Sequence, residues 1–244
     1  VWSLPDGAAR YAFLVRATTT TRLTPDEVHA LGLREVARIE GEMQEVARRA
    51  GFPDLAAFRA AIAADPRLTP TSREQILEIY RGHLDAMRRE LPRLFGRLPR
   101  ADFVVAEVEP FREKEASGAQ YHGPAADGSR PGRIEVNTGD FASRKTISFE
   151  STAYHEAVPG HHLQIALQQE LTGLPAQRRF WLGYNAYVEG WALYSERLGR
   201  EVGRFQDPAS LYGHLEEEML RAIRLVVDTG LHARRWSRQQ VVDF

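Results

Sequence analysis

Three histidines and a glutamate lie within eight residues near the middle of the chain, in the stretch His-Glu-Ala-Val-Pro-Gly-His-His at 155–162. The chain has only eight histidines, so three of them are concentrated here. Imidazole nitrogens bind zinc, and a neighbouring carboxylate can act as the general base for a metal-activated water. The stretch therefore predicts a Zn²⁺ site with His155 as a ligand and Glu156 as the base.

The spacing of these histidines differs from that of the familiar helical zinc motif. That motif places two histidines four residues apart, on one face of a helix, whereas position 159 is a proline here. On a straight helix His161 would lie roughly 240° around from His155. His162 would return to the same face, but about 10.5 Å further along the axis. A straight helix therefore cannot bring either residue to the same ion as His155.

The dipeptide Pro159-Gly160 offers a solution to this spacing. A proline removes a helical N–H and its ring clashes with the carbonyl four residues earlier, while glycine tolerates unusual backbone angles. We expect a kink or bulge at this dipeptide, which swings the following histidine back toward the metal. Residue spacing alone leaves open whether His161 or His162 is the second ligand.

A third ligand must come from a carboxylate or another histidine, because the chain contains no cysteine. Glu189 lies in a helical pattern among the apolar residues Val188, Trp191 and Ala192, where an unpaired carboxylate would be costly. A salt-bridged or exposed glutamate is the alternative interpretation. Two histidines and one glutamate, with water in the fourth position, form a known catalytic zinc arrangement.

Two further residues are candidates for contacts with the substrate. His232 follows an Asp-Thr-Gly turn and could donate a hydrogen bond to the oxyanion of a tetrahedral intermediate. It could equally be a histidine that interacts with the dipole of a helix end. Tyr187, on the helix that carries Glu189, is a candidate substrate-binding residue.

The elements that must position these residues are mostly helical. Thr24 begins a helix with a capping-box pattern, and an apolar stripe follows as far as Gly51. A shorter helix is predicted around Leu55, Phe58 and Ile62, and Asp65-Pro66 closes it. A third helix is expected to open at Thr71 and to be stopped by Pro92.

The residue pattern is no longer helical between residues 100 and 140. Residues 103–109 and 133–137 are rich in β-branched side chains and predict two strands, and residues 126–132 have the composition of a turn. Helical periodicity returns after residue 148. The sequence thus predicts a mainly α protein with a small β-sheet, of class α+β. Its regions are helical (1–99), strand-containing (100–140) and zinc-site helices (148–244).

Composition excludes several classes of protein. The 244 residues carry a formal net charge of -1, without the basic excess that is typical of nucleic-acid binding. No apolar run reaches the roughly 18 residues of a membrane-spanning helix, so we expect no transmembrane segment. The absence of cysteine excludes disulfides and thiolate zinc sites.

The end of the chain predicts a truncated domain. Residues 237–240 have a capping-box pattern, yet the chain stops at Phe244, barely one turn later. So short a helix is not stable alone. We therefore expect residues 1–244 to be one partial domain of a longer protein.

Several stretches of the chain resemble the DUF885 family of bacterial proteins, which is similar to gluzincin-type zinc metallopeptidases. The matching stretches are residues 18–21, 24–43, 127–132, 154–164, 185–198 and 221–232. Family members are typically much longer than this chain. The resemblance implies a zincin-like helical catalytic region.

The resemblance also implies roles for particular residues. Gly160-His161 is similar to the Gly-His that ends the zinc helix of gluzincins, which favours His161 over His162 as the second ligand. Glu189 matches their downstream glutamate ligand. Asn137 ends the strand before the zinc helix, at the position where an edge strand of those peptidases pairs with the peptide substrate.

Together these features predict a zinc-dependent hydrolase of peptide or amide bonds, that is, a metallopeptidase. A carboxypeptidase-like enzyme is one form that it could take. Its partner is a peptide or amide substrate, and no nucleic acid is expected. The alternative is a non-catalytic helical module that binds metal or another protein. Glu156 favours the enzyme, because a purely structural metal site has no need of a general base.

Overall fold

The computed structural model describes residues 1–181 and 183–244. It is mainly α-helical with one small sheet, so the predicted α+β class is confirmed. The helices are α1 (Gly7–Thr19), α2 (Pro25–Arg49), α3 (Leu55–Ala64), α4 (Arg73–Leu94), α5 (Phe149–Glu156), α6 (His161–Glu170), α7 (Ala176–Phe180), α8 (Asn185–Glu201), α9 (Pro208–Ala233) and α10 (Arg238–Asp243). The strands are β1 (Phe103–Glu107), β2 (Ala119–His122) and β3 (Gly132–Val136).

The predicted helix starts are largely correct, because side-chain caps define them. Thr24 caps α2 and forms the full capping box with Glu27. The start of α4 differs by one residue, since Ser72 rather than Thr71 accepts the capping hydrogen bond. The predicted stop at Pro92 was wrong, because α4 continues to Leu94. A proline in the last turn removes one hydrogen bond of that turn and leaves the rest of the helix intact.

The sheet has the strand order β1-β3-β2, with β3 in the centre. β1 pairs with β3 in parallel, from Phe103 opposite Gly132, and β2 pairs with β3 antiparallel. The four-residue strand β2 was not predicted. It has only one β-branched or aromatic side chain, Tyr121, and no regular alternation, so its strand character comes from its pairing partner.

The sheet packs against α5 and α6. One apolar core joins α4, the sheet, α5 and α6, and its fully buried members include Tyr80, Ile134 and Tyr154. A second core lies between α2, α3 and α9, around Met43 and Leu215. α5 lies at the boundary of these layers, which holds its C-terminal residues in a fixed position.

Among the residues that the structure describes, no helix combines the length and the apolar character needed to cross a bilayer.

Candidate metal centre

The helix that carries the histidine cluster is interrupted, as the Pro-Gly dipeptide predicts. α5 ends at Glu156 and α6 begins at His161, so residues 157–160 form a link between them. The link is closed by backbone hydrogen bonds from Gly160 to Tyr154 (2.9 Å) and from His162 to Ala157 (3.0 Å).

Only glycine fits at position 160. A Cβ atom there would lie 1.9 Å from the carbonyl oxygen of His155 and 2.4 Å from that of Tyr154. The missing side chain therefore lets the start of α6 approach the end of α5. This contact turns the six-residue separation of His155 and His161 into spatial proximity.

The three predicted ligands come together in the structure. Nε2 of His155 lies 3.4 Å from Oε2 of Glu189, and Nε2 of His161 lies 3.6 Å from Oε1 of the same carboxylate. One ligand atom from each residue lies within 4.8 Å of the other two. Ligands at 2.0–2.2 Å from a tetrahedral ion are separated by about 3.3–3.6 Å. The donor types and the separations fit zinc after a small adjustment.

A buried carboxylate orients the first histidine. Glu196, 1% exposed, accepts a hydrogen bond from Nδ1 of His155 at 2.7 Å and one from the Ser151 hydroxyl at 2.5 Å. Because the carboxylate can only accept, His155 carries its proton on Nδ1 and presents Nε2 toward Glu189. In zinc sites a carboxylate often accepts the hydrogen bond from that ring nitrogen of a ligating histidine which does not bind the metal.

The charges of this cluster shift its pKa values in opposite directions. Burial would lower the pKa of His155, but hydrogen bonds with Glu189 and Glu196 raise it to about 9. Burial would raise the pKa of Glu196, but hydrogen bonds from His155, His214 and Ser151 lower it to about 2. The hydrogen bond with His155 also lowers the pKa of Glu189. Negative charge is therefore concentrated where a cation would bind.

The second histidine is neutral. Burial, together with the positive charge of His155, lowers the pKa of His161 to about 4. Its Nδ1 is buried and has no hydrogen-bond partner among the residues that the structure describes. A neutral imidazole with Nε2 facing Glu189 is the form that binds a metal.

Glu156 lies next to this cluster, at the C-terminus of α5. It lines a cleft of about 510 Å³ together with His155, Asn137, Tyr80 and Arg221. Burial raises the pKa of Glu156 to about 7, although the charge of His155 acts in the opposite direction. A carboxyl group whose pKa lies near neutral pH is well suited to accept and return a proton.

His162, the alternative second ligand, points away from the cluster. Its Nε2 donates to the carbonyl oxygen of Ala101 at 3.0 Å, and its Nδ1 accepts from the Tyr121 hydroxyl at 3.0 Å. Its ring packs edge-on against Phe103. Both nitrogens are used and the ring is buried against the sheet, so the structure contradicts a ligand role for His162.

The expectation that Asn137 follows an edge strand was also wrong. It follows β3, the central strand, and its side-chain amide donates to the backbone oxygens of Glu113 (2.8 Å) and Ala116 (3.1 Å). Asn137 lines the cleft but is engaged in holding the loop before β2. The edge strand beside α5 is β2, and Gly118 and Ala119 at its start line the cleft.

His232 and Tyr187 lie outside this cleft. His232 is at the far end of α9, against Tyr11 and Asp228. It is eighteen residues beyond His214, which contacts Glu196, so it lies about 27 Å further along the helix axis. Tyr187 is half-exposed and lines a neighbouring apolar cavity of about 620 Å³ between α6 and α8.

Several residues of the site were not singled out from the sequence. Glu196 follows Glu189 by seven residues, which is two helical turns and the same face, and this spacing is a signal that sequence reasoning could have used. Arg144, Ser151, His214 and Arg221 give no such signal. They reach the site from different elements, and only the tertiary structure brings them there.

Fold and site define an α+β protein in which a kinked helix places two histidines and a glutamate side by side. Over residues 2–244 the chain matches the model of a family described as bacterial proteins of unknown function, DUF885. The chain belongs to this family, which confirms the resemblance seen in its motifs.

The chain is also similar to a protein of Colwellia psychrerythraea described as a lipoprotein. Its crystal structure aligns with a TM-score of 0.93 at 37% sequence identity. The alignment covers 100% of this chain and 43% of that protein, so the chain spans less than half of its length. No curated protein matches the chain.

Proposed function

We propose that this chain carries the site of a zinc-dependent hydrolase of peptide or amide bonds. One observation carries the proposal: ligand atoms of His155, His161 and Glu189 lie within 4.8 Å of one another, and Glu156 lies beside them at an open cleft. Two imidazoles and a carboxylate, with a position left for water, are a donor set of catalytic zinc.

In this proposal the three ligands hold Zn²⁺, and Glu196 fixes the tautomer of His155. When bound, zinc supplies a Lewis acid that lowers the pKa of water and polarises the scissile carbonyl. Glu156 removes a proton from the attacking water and then delivers it to the leaving amine. Its raised pKa places it close to the balance between these two roles.

The developing oxyanion needs a donor, and Arg221 replaces His232 as the candidate. Arg221 lines the cleft, and its positive charge is among the influences that lower the pKa of both Glu156 and Glu189. Its guanidinium is held by Glu217, one turn earlier on α9. A cation so placed would stabilise negative charge near the metal more strongly in the transition state.

The backbone of β2 offers a place for the substrate chain. The backbone N–H of Asn137 donates to the carbonyl oxygen of Gly118, so the backbone groups of Gly118 face β3. In an antiparallel pair the next residue, Ala119, then directs its backbone groups toward the free edge. At Ala119 this edge can pair with an extended peptide, next to the Glu156 carboxylate that interacts with the backbone of Tyr121.

The test separates metal binding from catalysis. Wild-type protein loaded with one equivalent of zinc should hydrolyse members of a mixed peptide library, and removal of zinc with EDTA should abolish the activity. Glu156→Gln should bind zinc as wild type does and lose at least about 100-fold in rate. Zinc binding without hydrolysis in the wild type would instead favour a non-catalytic metal-binding module.

A further inference from the structure

The cleft contains an arginine, Arg144, that has no carboxylate partner in the described part of the chain. Arg144 lies in the segment before α5 and lines the cleft together with Asn137, His155 and Glu156. Its Nε donates to the carbonyl oxygen of Gly139 at 2.8 Å. Within residues 1–181 and 183–244, its two terminal nitrogens make no hydrogen bond and no carboxylate lies within 4.0 Å of them.

The other cations of the cleft are engaged. Lys145 donates to the backbone oxygen of Asp65 (3.2 Å) and to the hydroxyl of Thr69 (3.0 Å), which holds its ammonium group. One terminal nitrogen of Arg221, Nη1, is paired with Glu217. Arg144 is therefore the cleft guanidinium with both terminal nitrogens available.

Arg144 and the proposed base face a common group. The Tyr80 hydroxyl is buried, which raises its pKa, and the charges of Glu156 and Arg144 then act on that pKa in opposite directions. The Tyr80 side chain also lines the cleft. Arg144 and Glu156 thus line the same cleft of about 510 Å³, so one substrate in that cleft can contact both.

We propose that Arg144 binds a carboxylate of the substrate, and that the site acts on peptides or amides with a carboxylate close to the scissile bond. A guanidinium presents two parallel N–H groups, which match the two oxygens of a carboxylate. The bond to Gly139 fixes the orientation of that fork. The substrate class rests on the proposed hydrolase function, whereas the carboxylate site itself does not.

The carboxylate could be the α-carboxylate at a peptide C-terminus or the side chain of an acidic residue. Three probes distinguish these sources: acetyl-Ala-Ala-Phe with a free C-terminus, the same peptide as its C-terminal amide, and acetyl-Ala-Ala-Glu amide. A preference for the first alone assigns the α-carboxylate, and an equal preference for the third includes acidic side chains. Equal kcat/KM for all three would overturn the proposal.

The variant Arg144→Met tests the residue. The ratio of kcat/KM for carboxylate over amide peptides should fall roughly 10- to 100-fold, as expected for loss of a charge-assisted bidentate contact. Arg144→Lys keeps the charge without the fork and should lose part of that ratio. Arg89→Met, at an exposed position of α4, is the matched control and should leave the ratio unchanged.

A binding measurement separates failure of this inference from failure of the proposed function. Acetyl-Phe and its amide are titrated calorimetrically into the zinc-free protein, where no hydrolysis occurs. Tighter binding of the acid that disappears in Arg144→Met supports the carboxylate site even if no peptide is cleaved. A folded Arg144→Met or Arg144→Lys protein that discriminates as wild type does refutes the site, even if peptides are cleaved.

Discussion

Replacement of the buried carboxylate behind the first histidine should weaken zinc binding without touching a ligand. Glu196→Gln keeps the shape of the side chain and can still accept the proton of His155 Nδ1. It loses the negative charge that strengthens this hydrogen bond and the one from Ser151. The site is 1% exposed, so water cannot replace the lost interaction.

The magnitude follows from these two contacts. A hydrogen bond to a charged group contributes about 1.5–3 kcal/mol, and a neutral one roughly half of that. Halving two such bonds removes about 1.5–3 kcal/mol. The part that bound zinc loses should match the typical effect of removing a ligating histidine's hydrogen-bond partner, a 10- to 100-fold loss of affinity or about 1.4–2.8 kcal/mol. Glu196→Ala removes the acceptor altogether and should cost more.

The assay is competition for zinc between the protein and a chromophoric chelator, at fixed pH and with folding checked by circular dichroism. Glu201→Gln, at an exposed position on the same helix, is the matched control and should bind zinc as wild type does. If Glu196→Gln is folded and its zinc affinity lies within twofold of wild type, the orienting role assigned to Glu196 is wrong.

Three further predictions concern the kinked helix and its histidines. Gly160→Ala should lower the free energy of unfolding by about 2–4 kcal/mol, because its Cβ would overlap the carbonyl of His155. The control Gly82→Ala, with open space around it on α4, should raise that free energy by about 0.5–1 kcal/mol. Urea titration measures both variants. His161→Gln should abolish stoichiometric zinc binding while His162→Gln retains it, and metal analysis after gel filtration would refute the assignment if the two results were exchanged. Burial lowers the pKa of His155, but its two carboxylate neighbours raise it to about 9, so zinc must displace a proton from His155 below that pH. Zinc affinity should therefore rise about tenfold per pH unit from pH 7 and level off above pH 9. A flat pH profile of zinc affinity would contradict this.

Much of the helical part of the fold could be predicted, because helix starts and apolar stripes are local features. The capping box of Thr24 and the capping hydrogen bond of Asp54 lie within four residues of the helix starts that they define. The end of α4 was misplaced since a proline near a C-terminus removes only one bond. β2 was missed because its strand character comes from pairing with β3, not from its own side chains.

The types of residue in the candidate site could also be predicted. His155, Glu156 and Glu189 were named from composition and context, and His161 from resemblance to a family motif. Spacing alone could not choose between His161 and His162. The choice depends on the path of the link before α6, which turns one ring toward Glu189 and buries the other against the sheet.

The sequence by itself determined the side chains available to this site: two imidazoles, two carboxylates that can bind a metal or accept a proton, and a helix break at Pro159-Gly160. The tertiary structure decided which side chains meet. Glu196 contacts a histidine that is tens of positions away, Arg144 lines a cleft that several elements form, and His232 lies at the far end of the 26-residue helix α9. Local patterns specify elements, but long-range packing sets the distances between them, and a metal site depends on those distances to within a few tenths of an ångström.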